Sequence, residues 1–330
     1  MMAVAFIVCF LGNIALGSVA IPLDDVVSTL LGGTPSKSSW EYIIMDYRLP
    51  KAITASLAGS ALAVSGLLMQ TLFRNPLAGP FVLGISSGAS LGVALLILGS
   101  SLLGISLGTA SGNWALTIAA SLGSFGVLLM VIAAASRIKD TMALLIIGLM
   151  VGSLTAAVVS VLAYFSKAEE LQRYIFWSFG SLGNLSWQAI IILASCCVLG
   201  FILVLFSLKA LNALLLGDAY AKTMGVSILS KRLLIILATS LLAGSVTAFA
   251  GPIAFIGLAV PHLIRQVIPS TNHRILLPAV MLGGAILLLL CDILASVPLS
   301  EYTLPINAIT AIVGAPVVIW LLVRKKKLIF

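Results

Sequence analysis

Few side chains in this 330-residue sequence combine a type and a spacing that suit chemistry. The two histidines, His262 and His273, could each act as a general base, so a membrane enzyme stays an alternative. Neither belongs to an HExxH motif, and we interpret both as polar residues at helix ends near the membrane surface. Asp292 is the one carboxylate inside an apolar run. Ion-coupled carriers usually place several ionisable groups near the midplane, so this scarcity argues that energy enters elsewhere; an ion-coupled secondary transporter stays a second alternative.

Nucleotide and metal sites are not indicated by the residue pattern. No GxxxxGK[ST] loop occurs, so an ATP-driven process would need a separate subunit that binds ATP and Mg. The cysteines have no CxxC spacing and lie in apolar stretches, at Cys9, Cys196, Cys197 and Cys291. This argues against a zinc site and a disulfide framework. We therefore expect no catalytic residue, no metal and no cofactor bound by this chain.

The composition excludes a water-soluble fold. Apolar residues make up 61% of the chain, charged residues 8%, and the mean hydropathy is +1.22, whereas soluble domains carry roughly 25% charged residues. A bilayer crossing takes roughly 20 apolar residues, so the length accommodates about ten helices. We predict an all-α integral membrane protein in which residues 1–330 form one transmembrane domain. The candidate spans are 1–19, 52–72, 81–103, 114–135, 142–164, 189–207, 233–250, 253–267, 275–294 and 307–323.

The distribution of basic residues predicts the orientation. Alternate connections place thirteen Lys and Arg on one side, among them Lys139 and the tail 324–327, and five on the other. By the positive-inside rule both termini are cytoplasmic. The net charge of +8 then reflects membrane topology, and we expect no nucleic-acid partner. The first run lacks a basic start and a cleavage site, so we expect a retained helix and a true start upstream of Met1.

Ten spans divide into two halves of five with opposite orientations, as in inverted-repeat transporters. A short similarity supports this division, because Leu77-Ala78-Gly79-Pro80 and Phe249-Ala250-Gly251-Pro252 each open the third span of a half. Small residues also recur every four positions, at Gly84, Gly88 and Gly92. Such a stripe lets helix backbones approach closely. Helix packing is the simpler interpretation, and lining of a pathway stays open.

The stretch 209–232 is too polar to cross the membrane and lies on the predicted cytoplasmic side. We predict that Asp218 caps a short helix at its start and that Gly225 ends it in the left-handed conformation. We call the segment 216–225 the knob. From the residues alone, a helical loop without a special role is an equal alternative.

Several spaced motifs together resemble the permease subunits of type II ABC importers for iron-siderophores, haem and vitamin B12, over nearly the whole chain. These motifs are Arg48-Leu49-Pro50-Lys51, Gly59 to Gly66 with Gln70, Arg74-Asn75-Pro76-Leu77-Ala78, Leu83-Gly84 with Ser87-Gly88-Ala89, Trp177 with Gly180, Leu216-Gly217-Asp218, Gly251 through Arg265, His273-Arg274 with Leu277-Pro278, Asp292, Leu304-Pro305 and Gly314-Ala315-Pro316.

The resemblance implies a non-catalytic transport subunit of the bacterial inner membrane that works by alternating access. It implies a homodimer with the pathway at the dimer interface, two ABC ATPase subunits that bind ATP and Mg, and a periplasmic or lipoprotein substrate-binding protein. An iron complex is the first expected cargo and vitamin B12 the second. The resemblance assigns ATPase coupling to Leu216, Gly217, Asp218, Ala221 and Gly225.

Two further sites follow from the resemblance. Arg48 and Lys51 match basic residues that pair with acidic residues of the binding protein, whereas a third such position is Ser296 here. Lys51 replaces a common Arg and loses bidentate geometry. The cytoplasmic gate maps, by position, to Asn75, Leu77, Thr141 and Met142.

Overall fold

The computed structural model describes the backbone of residues 1–102, 113–138, 140–297 and 302–323, without the side chains of 100–102, 113, 141, 321 and 322. Every regular element in these ranges is helical, which confirms the predicted fold class. Lys139 and the tail 324–327 lie outside the described residues. The helices are α1 (Met2–Ala15), α2 (Leu23–Leu30), α3 (Ser38–Tyr42), a π-helical turn (Ile43–Arg48), α4 (Leu49–Phe73), a 3₁₀ turn (Pro80–Leu83), α5 (Ile85–Leu102), α6 (Asn113–Arg137), α7 (Thr141–Phe165), α8 (Ala168–Ser178), α9 (Trp187–Leu215), α10 (Asp218–Thr223), α11 (Ile228–Ala250), α12 (Ile256–Val267), α13 (His273–Ala295) and α14 (Ile306–Val323).

Each predicted apolar run coincides with a helix, but the helices differ in length. Within the described ranges, six helical stretches are long and apolar enough to cross a membrane: Ser38–Phe73, Trp114–Arg137, Met142–Phe165, Trp187–Leu215, Ile228–Ala250 and His273–Ala295. Three apolar helices are shorter, at Met2–Ala15, Ile85–Gly99 and Ile306–Trp320. The run predicted at 253–267 contains α12, which has 12 residues with Pro261 inside. The chain is thus a multi-pass membrane protein.

Short helices also lie between the spans, and α10 was the one predicted from the sequence. α8 is longer, and Glu169 and Glu170 lie in its first turn. The Lys167 backbone N–H donates to Glu170 Oε2 at 3.3 Å, which closes the start of this helix. These carboxylates stabilise a helix start, where negative charge is favoured.

Helix α4 forms the centre of the structure. In the most apolar 18-residue segment of Ser38–Phe73, 78% of the segment is buried inside the protein. In the corresponding segment of Met142–Phe165, only 17% is buried. α4 packs against α13, α12 and α11, and glycines allow two of these approaches. A Cβ on Gly59 would overlap the Gly284 carbonyl of α13, and a Cβ on Gly66 would overlap the Gly257 carbonyl of α12. At these contacts the two helix backbones touch directly, as they do in other helix pairs that pack through small residues.

The glycine stripe of the third run joins α5 to α6. A Cβ on Gly88 or Gly92 would press on the carbonyls of Gly123 and Ala119, respectively. Gly84 has φ +77° and directly precedes α5, close to the Gly148 carbonyl of α7. The structure thus places this stripe in helix packing within one chain.

Gly66→Ala should destabilise the protein, because the new methyl group meets the Gly257 backbone, which no side-chain movement can relieve. We expect a loss of about 1–3 kcal/mol, the usual cost of overpacking, read as a lower apparent thermal midpoint in detergent. Gly126→Ala is the matched control, since nothing lies within 4 Å of its added Cβ. Equal midpoints for the two variants would contradict the close approach.

Candidate functional site

The knob has the local fold that its residues predict. α9 ends at Leu215, Gly217 takes φ +110°, and α10 covers Asp218–Thr223. Gly225 has φ +79°, so the predicted left-handed end is confirmed. The Ala221 N–H donates to the Gly217 carbonyl at 2.8 Å, and the Ala221 side chain is fully buried. Ala221 therefore faces the body of the protein.

The prediction that the Asp218 side chain caps α10 is wrong. Asp218 is the first residue of the helix, and no side-chain cap bond is formed there. Its carboxylate instead pairs with Arg74 Nη2 at 2.7 Å and Arg232 Nη2 at 3.4 Å. The physical reason is that two guanidinium groups attract a carboxylate more strongly than a backbone N–H does. No local pattern around Asp218 indicates these partners, since Arg74 is 144 residues away.

Three large apolar side chains of the knob are exposed, and we call them the apolar strip. Leu216, Tyr220 and Met224 are exposed at 62%, 59% and 59%. Leu216 directly follows α9, Tyr220 lies on α10, and Met224 directly follows α10. The knob therefore presents apolar side chains at its surface, whereas Ala221 is buried.

Two of the predicted gate segments lie beside the knob. In the first, the Leu77 N–H donates to Asn75 Oδ1 at 2.9 Å, and Leu77 is exposed. In the second, the Met142 N–H donates to Asp140 Oδ1 at 2.9 Å, and Met142 is exposed. The Thr141 side chain lies outside the described part of the chain. Both segments are turns closed by a side-chain cap.

Both histidines are bonded into the protein close to these turns. His262 Nε2 donates to the Pro76 carbonyl at 2.7 Å. His273 Nδ1 donates to Asn212 Oδ1 at 2.7 Å, and its Nε2 lies 2.8 Å from Thr71 Oγ1. The rings thus connect helices α12 and α13 to the chain around α4. Among residues 1–102, 113–138, 140–297 and 302–323, no group of three His, Cys, Asp or Glu side chains could hold a metal ion.

At the opposite end of α4, Lys51 forms a buried polar cluster. Its Nζ lies 3.0 Å from Asp292 Oδ1 and donates to Ser296 Oγ at 2.7 Å. Asn13 Nδ2 donates to Asp292 Oδ2 at 2.9 Å. The cluster thus joins α1, α4 and α13. It supplies a partner for the single carboxylate that the sequence places inside an apolar run.

Arg48, the other predicted docking residue, turns inward. Its guanidinium donates to the carbonyls of Ile14, Ala15 and Val19, and the residue is 9% exposed. Helix α1 ends at Ala15, so these carbonyls lack helical partners and Arg48 supplies them. A cleft of about 340 Å³ lies beside it, with a lining that includes Tyr47, Arg48, Lys51, Ser296 and Thr303.

A larger cleft of about 480 Å³ lies beside α8, between the start of α6 and the end of α11. Trp114, Arg173 and Trp177 contribute to its lining. The backbone of Gly251 packs tightly on Gly180 and on the Trp177 carbonyl. Two motifs that are distant in the sequence, Trp177 with Gly180 and the one that starts at Gly251, thus meet at one contact. Burial raises the pKa of the Tyr174 phenol on α8, and its hydrogen bond with Ser90 acts in the opposite direction.

Comparison with known proteins gives a family match over almost the whole chain. Residues 5–324 match the model of the FecCD transport family. The hemin transport system permease protein HmuU of Yersinia pestis is 36% identical over 323 residues, covering 98% of this chain and 95% of the relative. The vitamin B12 import system permease protein BtuC of Klebsiella pneumoniae is 38% identical over 288 residues, covering 87% and 84%.

A solved structure has the same fold. It is described as an inward-facing conformation of a metal-chelate type ABC transporter. The two chains superpose with a TM-score of 0.84 at 30% identity, and each is covered to 98%.

Lys51→Met should destabilise the protein, because Asp292 would be left as a buried charge. Lys51 is 26% exposed, so we expect about 3 kcal/mol, the low end for a broken buried pair. The measurement is the apparent thermal midpoint in detergent. The control is the double variant Lys51→Met/Asp292→Asn, which removes both charges and should recover most of the loss. A double variant as unstable as the single one would show that the ion pair is not the cause.

Proposed function

Because the chain belongs to the FecCD transport family, we propose that it is the transmembrane permease subunit of an ATP-driven importer of the bacterial inner membrane. It is a transport subunit and not a catalytic enzyme. In our proposal it moves an iron complex or vitamin B12 inward by alternating access. The observation that carries this proposal is the knob, whose apolar strip is exposed on a chain without a phosphate-binding loop of its own.

We place the energy input at the knob. An apolar strip of three side chains that are each more than half exposed suits a protein contact. Leu216 would contact the ATPase directly, whereas Gly217, Asp218, Ala221 and Gly225 would hold the coupling segment in shape from within, with one ABC ATPase subunit on each knob of a homodimer. ATP and Mg would bind to the ATPase and not to this chain.

The proposed topology has ten crossings in two inverted halves with both termini cytoplasmic. In the part of the chain that the structure describes, six helical stretches have the full length and apolarity for a crossing, and α1, α5, α12 and α14 would complete the ten. A local similarity between the halves supports this count. After each Ala-Gly-Pro turn, one residue at positive φ directly precedes a helix, namely Gly84 before α5 and Phe255 before α12.

We place the pathway at a homodimer interface beside α7. This helix is the least buried of the full-length spans, and Met142 and Ile146 are both exposed at 55%. A second copy would cover this apolar face. Asn75, Leu77, Thr141 and Met142 would form the cytoplasmic gate, since the two capped turns lie at the same side of the molecule as the knob.

We propose that the substrate-binding protein docks at the outer cleft beside Lys51. The hydroxyl groups of Tyr47, Ser296 and Thr303 line the same cleft as this lysine and could donate hydrogen bonds to an acidic side chain of the partner. Lys51 is already paired with Asp292, and Arg48 with three carbonyls. These two cations would thus attract acidic residues of the binding protein over a distance and would not form new direct ion pairs with them. Exposed ion pairs contribute only about 0–1 kcal/mol, so they would set orientation and encounter rate more than affinity.

The substrate class follows from the relatives. One relative is named for hemin and another for vitamin B12, and both are bulky macrocycles with a bound metal. We propose a preformed metal complex of this kind, with haem or a ferric siderophore first and cobalamin second. The binding protein would supply most of the selectivity.

Reconstitution tests the function directly. The chain is purified with its co-expressed partner proteins, placed in liposomes and assayed for uptake of labelled haem, ferric siderophore and cobalamin. We expect ATP-dependent uptake of one of these compounds, because the energy would enter through the ATPase. Uptake that follows an ion gradient without an ATPase would overturn the proposal in favour of a secondary transporter.

Tyr220→Glu should weaken association with the ATPase, because it places a charge in the apolar strip. Tyrosines at protein contacts often contribute about 2 kcal/mol or more, equivalent to roughly 30-fold in Kd. Copurification and titration with the purified ATPase measure this change. Arg274→Ser is the control, since this exposed cytoplasmic arginine lies outside the knob. Unchanged association of Tyr220→Glu would place the ATPase contact elsewhere.

A further inference from the structure

One carboxylate of the knob contacts two arginines, and each arginine also contacts the chain close to a different gate segment. Asp218 Oδ1 lies 2.7 Å from Arg74 Nη2, and Oδ2 lies 3.4 Å from Arg232 Nη2. Arg74 directly precedes the capped turn that starts at Asn75. Arg232 Nη1 donates at 3.4 Å to the carbonyl of Ile138, which directly follows α6 and precedes Asp140, the N-cap of α7, in the chain. We call Arg74, Asp218 and Arg232 the arginine fork.

We propose that the arginine fork transmits movement of the knob to both gate segments, so that Arg74 and Arg232 are positioning residues for transport. The proposal rests on the proposed role of the knob as the ATPase contact. It adds a specific connection: a single side chain, Asp218, links the knob through Arg74 to the turn after α4 and through Arg232 to Ile138 at the end of α6.

The contact between Asp218 and Arg74 acts on the turn after α4 and not on α4 itself. Arg74 ends α4 with φ 45° and ψ 39°, a left-handed conformation that non-glycine residues adopt infrequently. Its Nε donates to the Leu214 carbonyl at 3.0 Å, so the guanidinium bridges the end of α9 and the knob. Helix α4 before it is buried and tightly packed. A displacement of Asp218 would therefore change the turn that contains Asn75 and Leu77 before it changes α4.

Burial of the Arg232 side chain constrains its contact with Asp218. Arg232 is 4% exposed, whereas the Asp218 side chain is 42% exposed. A buried guanidinium requires a carboxylate nearby, because an uncompensated charge in a low-dielectric environment is strongly unfavourable. Asp218 supplies a carboxylate at 3.4 Å. Movement of the knob away from Arg232 would therefore cost free energy unless Arg232 and Ile138 moved with it.

Transmission through the fork is separable from binding of the ATPase. The Asp218 carboxylate points to the two arginines, whereas the apolar strip is formed by Leu216, Tyr220 and Met224. Asp218→Asn keeps the size of the side chain and leaves the strip intact. It removes the charge that joins the fork.

The test compares Asp218→Asn, Arg74→Gln and the double variant in the full reconstituted complex, with Arg274→Ser as a control for loss of an exposed cytoplasmic arginine. Three quantities are measured: ATPase copurification, ATP hydrolysis, and uptake per ATP hydrolysed. A Cys at Met142 reports gate movement through thiol labelling with and without ATP. The background replaces Cys9, Cys196, Cys197 and Cys291, which are free thiols.

We expect each single variant to keep the ATPase bound and ATP hydrolysis active but to lower uptake per ATP roughly ten-fold, a usual size for coupling between sites. ATP should no longer change the labelling at Met142. The double variant should lose no more than a single one, because both remove the same contact.

The proposal would be overturned if the losses of uptake per ATP in the two single variants multiplied in the double variant. Unchanged uptake per ATP in the single variants would also overturn it. Loss of the bound ATPase in Asp218→Asn would also overturn it, since the carboxylate would then serve docking. Absence of ATP-driven uptake in the unsubstituted complex would instead refute the proposed function, and this outcome is recognised before any variant is compared.

Discussion

The close backbone approach of α4 to α12 and α13 is the interaction on which the rest of the molecule depends. Glycine pairs at Gly59 and Gly284 and at Gly66 and Gly257 bring helix axes nearer than any side chain allows. In a bilayer the lipid is as apolar as the helix surface, so close packing must supply much of the association between helices. A central helix packed in this way gives its two ends fixed positions. Both proposed contact sites lie at those ends.

Charged groups at both ends of α4 are paired, because the bilayer core tolerates few unsatisfied polar groups. At one end Lys51 is neutralised by Asp292, and Asn13 donates to the other oxygen of the same carboxylate. At the other end Arg74 and Arg232 converge on Asp218. In each case a carboxylate satisfies donors from separate parts of the chain. The same groups that make burial tolerable also connect separate helices.

The sequence predicted features that depend on local signals and missed those that depend on distant partners. Gly225 marks the end of the knob, and apolar runs mark the spans, because backbone freedom and hydropathy act over a few residues. The cap predicted for Asp218 was wrong because its stronger partner, Arg74, is 144 residues away. The sequence pattern also placed Arg48 at the outer face. Only the fold shows that α1 ends at Ala15 and leaves carbonyls that this side chain satisfies.

Arg74 is subject to two opposing demands. Its backbone lies in the left-handed region, where glycine or asparagine would relieve a cost of about 1–3 kcal/mol. Its side chain spans Leu214 and Asp218, which requires the length and the several donors of a guanidinium. Glycine would relax the turn and lose both contacts, whereas lysine would keep the strain and offer a single point charge. No standard residue satisfies both demands. We therefore expect evolution to accept fewer substitutions at this position than is usual for a half-exposed residue.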